Sequence, residues 1–183
     1  SGMRVPATNS GSQSMEVAAG LAVLRITIGL IFAAHGAQKA FGWWKGPGYA
    51  GWSGVITKMG FRPTAFWTFV SVLAELGAGL LLALGLLTPL AAAGLVGQGI
   101  VIIARVHWPN GFWNSNKGYE FPLVLLAGSL ALALTGPGTW SLDAQLPVGI
   151  VYEPIIRWGV LVAGVVGSGL ATWGSSRTVR ASE

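Results

Sequence analysis

Seven of the polar or charged side chains that lie inside, or at the head of, otherwise apolar runs of this sequence could do chemistry. They are Arg25, His35 and Lys39 in the first run, Glu75 in the second, Gln98 and Arg105 in the third, and Glu120 at the start of the fourth. Glu75 and His35 are the candidate catalytic pair, because a carboxyl and an imidazole can pass protons between them. Arg25, Lys39, Gln98, Arg105 and Glu120 are the candidate substrate-binding groups. Lys39 and Arg105 are the pair of cations for a small anion. The structural reading of the same residues is a set of ion pairs, above all Arg25 with Glu75, that hold helices in register. Intramembrane polar contacts average only about 0.6 kcal/mol, so such pairs would specify an arrangement more than stabilise it.

The elements that carry these residues must be membrane helices. A span needs about 20 apolar residues, and the run Val17–Phe41 exceeds that. At 100° per residue Arg25, Phe32, His35, Gly36 and Lys39 share about a third of its circumference. One face of this helix is therefore polar and needs neighbours. The chain supplies them in apolar runs at about 65–87, 89–108, 119–136 and 154–173. The last run has no charge near its middle and reads as a plain lipid-facing helix. The expected fold is all-α: an integral membrane four-helix bundle plus a fifth, C-terminal transmembrane helix. The expected divisions are a loose or tag-derived segment 1–15 that includes Ser1-Gly2, a membrane domain 16–146, an added helix 147–174 and a polar tail 175–183.

Composition agrees. Of 183 residues, 52% are hydrophobic and 9% charged, against about 25% charged in soluble domains, and the mean hydropathy is +0.63. The 28 glycines suit close helix packing in lipid, and the 9 tryptophans suit interfacial belts. The net charge of +5 is read as topology and anionic headgroups rather than nucleic acid. Lys45, Lys58, Arg62, Lys117, Arg177 and Arg180 collect on one side of the expected bundle, with Arg4 and Arg157 on the other. The positive-inside rule places the first group in the cytoplasm. The Trp- and Gly-rich stretch after the first span reads as interfacial, with a short amphipathic helix over residues 49–60. With no cysteine, thiolate zinc sites and iron–sulfur ligation are excluded. Two histidines, His35 and His107, do not make a haem or metal site on their own, and no flavin fingerprint is present. His107 reads as an interfacial residue, and Asp143 lies at the face opposite the basic loops.

The motif L-R-x3-G-L-I-F-x2-H-G-x2-K at 24–39, A-E-L-x-A-G-L-L-L-x-L-G-L-L-T-P at 74–89, Glu120 opening a span and G-P-G-x-W-S-L-D at 136–143 together resemble the DoxX family over about residues 20–145. The resemblance implies a small four-helix membrane protein of the cell membrane of a prokaryote. It further implies a membrane component of an oxidoreductase system that meets a quinone and a small sulfur oxyanion such as thiosulfate. The lipid bilayer, a quinone and an oxidoreductase partner subunit are then the expected partners. A quinone carbonyl accepts hydrogen bonds, so His35, Gln98 or Lys39 could hold it, and its reduction consumes protons. Two other classes remain: a non-catalytic membrane scaffold or assembly subunit, and a small transporter or lipid-handling protein. The glycine-rich faces exceed what one small bundle needs, which leaves room for a homo-oligomer.

Overall fold

The computed structural model describes residues 10–180, and these form helices joined by short turns. Helix α1 runs Ser10–Phe41, α2 Gly48–Lys58, α3 Thr64–Leu84 and α4 Thr88–Asn110, α5 Glu120–Thr135 and α6 Pro154–Arg180. Among the described residues there is no strand. The segment with Ser1-Gly2 and Arg4, residues 1–9, and the last residues, 181–183, lie outside the described residues. Two boundaries differ from expectation. Helix α1 begins well before Val17, and α6 continues through most of the expected polar tail.

Four helices, α1, α3, α4 and α6, are long and apolar enough to cross a membrane, whereas α5 is an apolar helix of 16 residues. At 1.5 Å per residue α5 is only about 24 Å long. Helices α1, α3, α4 and α5 surround one core of Ile28, Phe32, Leu82, Ala92, Leu95 and Leu132. Small residues set the distances: a Cβ at Gly36 would run into the Leu76 backbone, so α1 and α3 cross almost backbone to backbone there.

The fifth span is the most exposed of the spans, as its composition suggests, but one of its sides is a packing face. It packs along α4, with Gly164 against Ala93 and Gly97. Its Arg157 donates to the carbonyls of Ala133 and Leu134 at the end of α5. Those carbonyls have no partner within their own helix, so Arg157 closes the C-terminus of α5. The outward side of α6, with Val162, Val166 and Leu170, stays exposed.

Arg25 does not pair with Glu75. It is buried near the other end of the bundle and donates to the Ala83 and Trp140 carbonyls. This ties α1 to the end of α3 and to the loop after α5. Close by, Asp143 accepts from the backbone N–H groups of Leu87 at 2.7 Å and Thr88 at 2.9 Å, which caps α4. The Tyr152 hydroxyl also donates to Asp143. Burial, and after it this hydrogen bond, raise the Tyr152 phenol above its ordinary value. Arg25 and Asp143 are thus structural groups of one end of the fold.

Candidate functional site

Two helical turns depart from the α-helix, and each carries a site candidate. Residues Leu73–Gly77 of α3 and Ile103–His107 of α4 form π-turns, in which hydrogen bonds reach one residue further than in an α-helix. The first contains Glu75 and the second contains Arg105 and His107. The extra residue rotates the side chains beyond it. Gln98 and Arg105, seven residues apart, would share a face on a regular helix, but the second π-turn separates them.

The first π-turn presents Glu75, fully buried, to α1 and α4. Its Oε1 accepts from Lys39 Nζ of α1 and from Gln98 Nε2 of α4 at 2.8 Å. Its Oε2 is buried and has no partner. Gln98 Nε2 also donates to Ser71 Oγ at 2.9 Å, and Ser71 Oγ accepts a second bond from Trp52 Nε1 of α2 at 3.2 Å. The Lys39 ammonium lies 4.0 Å from the centre of the Trp52 ring, a cation–π contact. Helix α2 therefore does more than lie in the interface, because its Trp52 closes the polar cluster from the basic-loop side.

Beside this cluster is a cavity of about 260 Å³. Apolar walls come from Phe32, Leu125, Ile102 and Phe121, and four polar groups converge on it: Glu75, Lys39, His35 and His107. The short helix α5 begins at this level, and exposed His35 on α1 and exposed Phe121 on α5 mark a mouth of the cavity between these two helices. Their ring centres are 6.2 Å apart. His107 Nδ1 is 2.6 Å from the Lys117 carbonyl. A carbonyl only accepts, so Nδ1 carries the hydrogen, and in the neutral ring Nε2 is an acceptor.

The sequence candidates therefore divide. His35, Lys39 and Glu75 line the cavity, and Gln98 supports Glu75 from behind. Arg25 does not come to it. Arg105 turns away, donating to Ser176 Oγ at 2.9 Å and to the Met59 carbonyl at 2.8 Å, so it joins α4 to α6 and to the end of α2. Lys39 and Arg105 consequently do not combine into an anion site. Glu120 Oε2 accepts from Asn114 N–H at 2.9 Å and orders the loop before α5. Sequence reasoning missed Trp52 and Ser71, and it gave His107 only an interfacial role. The available signal was a tryptophan on the polar side of a short helix next to a span, which does not separate a wall from an anchor.

The DoxX family model matches residues 20–108, which include every polar residue of the cluster and the cavity. An uncharacterized membrane protein of Mycobacterium tuberculosis is 32% identical over 133 residues, covering 67% of this chain and 78% of that protein. The inner membrane protein YqjF of Escherichia coli is 31% identical over 129 residues, covering 69% of this chain and 92% of its own length. No solved structure matches the chain. Spans, family model and relatives agree: the chain is a multi-pass membrane protein and belongs to the DoxX family.

Proposed function

We propose that the chain is a membrane component of an oxidoreductase system and that the cavity between α1, α3, α4 and α5 receives a quinone head group. The observation that carries this reading is Glu75, which is among the residues lining the cavity: one of its oxygens is tied to Lys39 and Gln98, while the other is buried without a partner. A buried acceptor left unpaired costs about 1–3 kcal/mol, and a ligand O–H removes that cost. Small-molecule sites are mostly apolar with a few convergent polar groups, and this cavity has that character. Its mouth between α1 and α5 suits a ligand dissolved in the bilayer.

A quinone takes two electrons and two protons to become a quinol. In this reading the electrons come from a partner oxidoreductase subunit, with a reduced sulfur oxyanion such as thiosulfate as the donor class. The chain's own part is binding and proton relay: the two protons are taken from water by exposed His35 at the mouth and passed on, one at a time, to the head group. Lys39 and His35 donate hydrogen bonds to carbonyl oxygens, Glu75 Oε2 and His107 Nε2 accept from the hydroxyls that form, and Trp52 shields the Lys39–Glu75 pair from water. Arg105 plays no part in holding the donor at this site.

The test is quinone binding by the purified protein in nanodiscs, read by quenching of tryptophan fluorescence with a short-tailed quinone, together with quinone reduction when a sulfur oxyanion donor and candidate partners are added. Glu75→Gln and His35→Ala are each expected to weaken binding by about tenfold or more, the equivalent of one charge-assisted hydrogen bond. Variants that fold normally and bind as well as the parent would overturn the assignment and favour a scaffold.

A further inference from the structure

A second hollow runs along the opposite side of α4. A cavity of about 330 Å³ lies between α2, α3, α4 and α6. Another of about 510 Å³ lies at the basic-loop end, between the α2–α3 turn and α6. Both have Phe61, Trp67, Gly167 and Ala171 among their walls, so the two hollows adjoin and together follow α6 as a trench. Its sides are aromatic rings on the α3 flank and small residues on the α6 flank. Polar groups stand at its two ends. Deep in the bundle are Ser71 and Gln98, the back of the cluster described above. At the outer end is Arg62, exposed, with one guanidinium N–H on Thr64 Oγ1 at 2.7 Å. Between Thr64 and Ser71 the trench follows about 10 Å of helix.

We infer that this trench binds one acyl chain of an anionic membrane phospholipid, with its phosphate on Arg62. The inference does not rest on the quinone reading. An apolar trench that ends at the membrane surface in a guanidinium matches an amphiphile with an anionic head, and Arg presents a fork of donors to phosphate oxygens. The same end of the bundle carries Lys45, Lys58, Lys117 and Arg177, and basic residues at a membrane surface draw anionic lipid toward it. Gly167 lines both hollows, and a Cβ there would meet nothing within 4 Å. A larger side chain can therefore start from this position without strain at its Cβ and take up space in the trench.

The experiment uses the full chain in phosphatidylcholine nanodiscs containing a minor fraction of phosphatidylglycerol with a photoreactive acyl chain. Labelled peptides are read by mass spectrometry. Labelling is expected to concentrate on the segments holding Trp67 and Gly167, and Gly167→Leu is expected to reduce it about fivefold or more while the helical circular dichroism is unchanged. Arg62→Gln is expected to lower the preference for the anionic over the matching zwitterionic probe by about tenfold, the loss of a direct charge-assisted hydrogen bond to phosphate, whereas Lys117→Gln, which changes only the surface field, lowers it by clearly less. Labelling spread evenly over the lipid-facing helices, or unaltered in Gly167→Leu, would overturn the proposal. An equal loss of preference in Lys117→Gln would assign the attraction to the general surface field and overturn the role of Arg62. Displacement of the probe by a long-tailed quinone, at levels that leave the rest of the lipid shell in place, would give the trench to a prenyl chain instead and equally reject the phospholipid.

Discussion

Replacing Lys39 by methionine keeps most of its apolar stem and removes its charge. Glu75 is fully buried, and Gln98 Nε2 would then be the remaining donor to its Oε1. Removing one member of a buried ion pair costs about 3–5 kcal/mol, because the other charge is left uncompensated. The reverse change, Glu75→Gln, is milder. Lys39 keeps the face of Trp52 and sits in the last turn of α1, where its stem can carry the ammonium to the interface. Its loss is about 1.5 kcal/mol, a charge-assisted hydrogen bond without a stranded charge. The double variant has neither charge and is expected within about 1 kcal/mol of the parent. A double-mutant cycle should therefore return a coupling of at least ~3 kcal/mol, well above the ~0.6 kcal/mol mean for intramembrane hydrogen bonds. The assay is reversible unfolding in mixed micelles with rising sodium dodecyl sulfate, followed by far-ultraviolet circular dichroism. Single-variant losses that add, leaving a coupling below about 0.5 kcal/mol, would refute the claim that the pair is a desolvated unit.

The same geometry sets three further expectations. Gly36→Ala places a Cβ against the Leu76 backbone; the overpacking should cost about 1–3 kcal/mol or more and, because Leu76 adjoins Glu75, weaken quinone binding as well as lower Tm. Trp52→Leu removes the ring over Lys39 and the donor to Ser71, and it should cut quinone affinity by about tenfold, near 1.4 kcal/mol, with a matching loss of fluorescence quenching. The Tyr152 phenol is raised by burial and by its bond to Asp143, so its contribution is complete below the ordinary value of ~10 and is lost as pH rises beyond it toward the folded value. Stability should accordingly decline above pH ~10. Tyr152→Phe should be about 1 kcal/mol less stable at neutral pH and should lack this part of the alkaline loss, as thermal unfolding across pH 8–11 would show.

Hydropathy made the spans legible, and the short helix after the first span was legible from its aromatic and glycine pattern. Glu75, Lys39, His35 and Gln98 were recognisable because each interrupts an apolar run. Periodicity gives the face of a helix but not its depth against a neighbour. Arg25 and Lys39 share a face of α1, yet they are 14 residues apart, about 21 Å along the axis, and Glu75 can meet only one of them. The choice is made by the glycine contact of Gly36 with Leu76, which sets Glu75 level with Lys39. Arg105 was misplaced for another reason. Its angle was counted on a regular helix, and the π-turn at Ile103–His107 moves it toward α6. No local pattern marks a π-turn in this sequence, so its effect on direction was invisible until the backbone was seen.

The two π-turns also bear on how this architecture can change length. Each holds one residue more than the helix around it needs, so a single-residue deletion at Leu73–Gly77 or Ile103–His107 could be absorbed as an ordinary α-helix, with hydropathy, span count and loops intact. Side chains beyond the deletion would keep their direction, because the residue removed is the one the wider turn had absorbed, but those within the turn, Glu75 or His107 among them, would be re-aimed. The acid that meets Lys39 and the histidine that meets the cavity would then be offered to different neighbours. Homologues that have lost a residue at either turn should insert and pack as membrane proteins while holding a different set of groups around the cavity. The number of residues in these two turns is therefore a better guide than overall identity to which relatives keep the same chemistry.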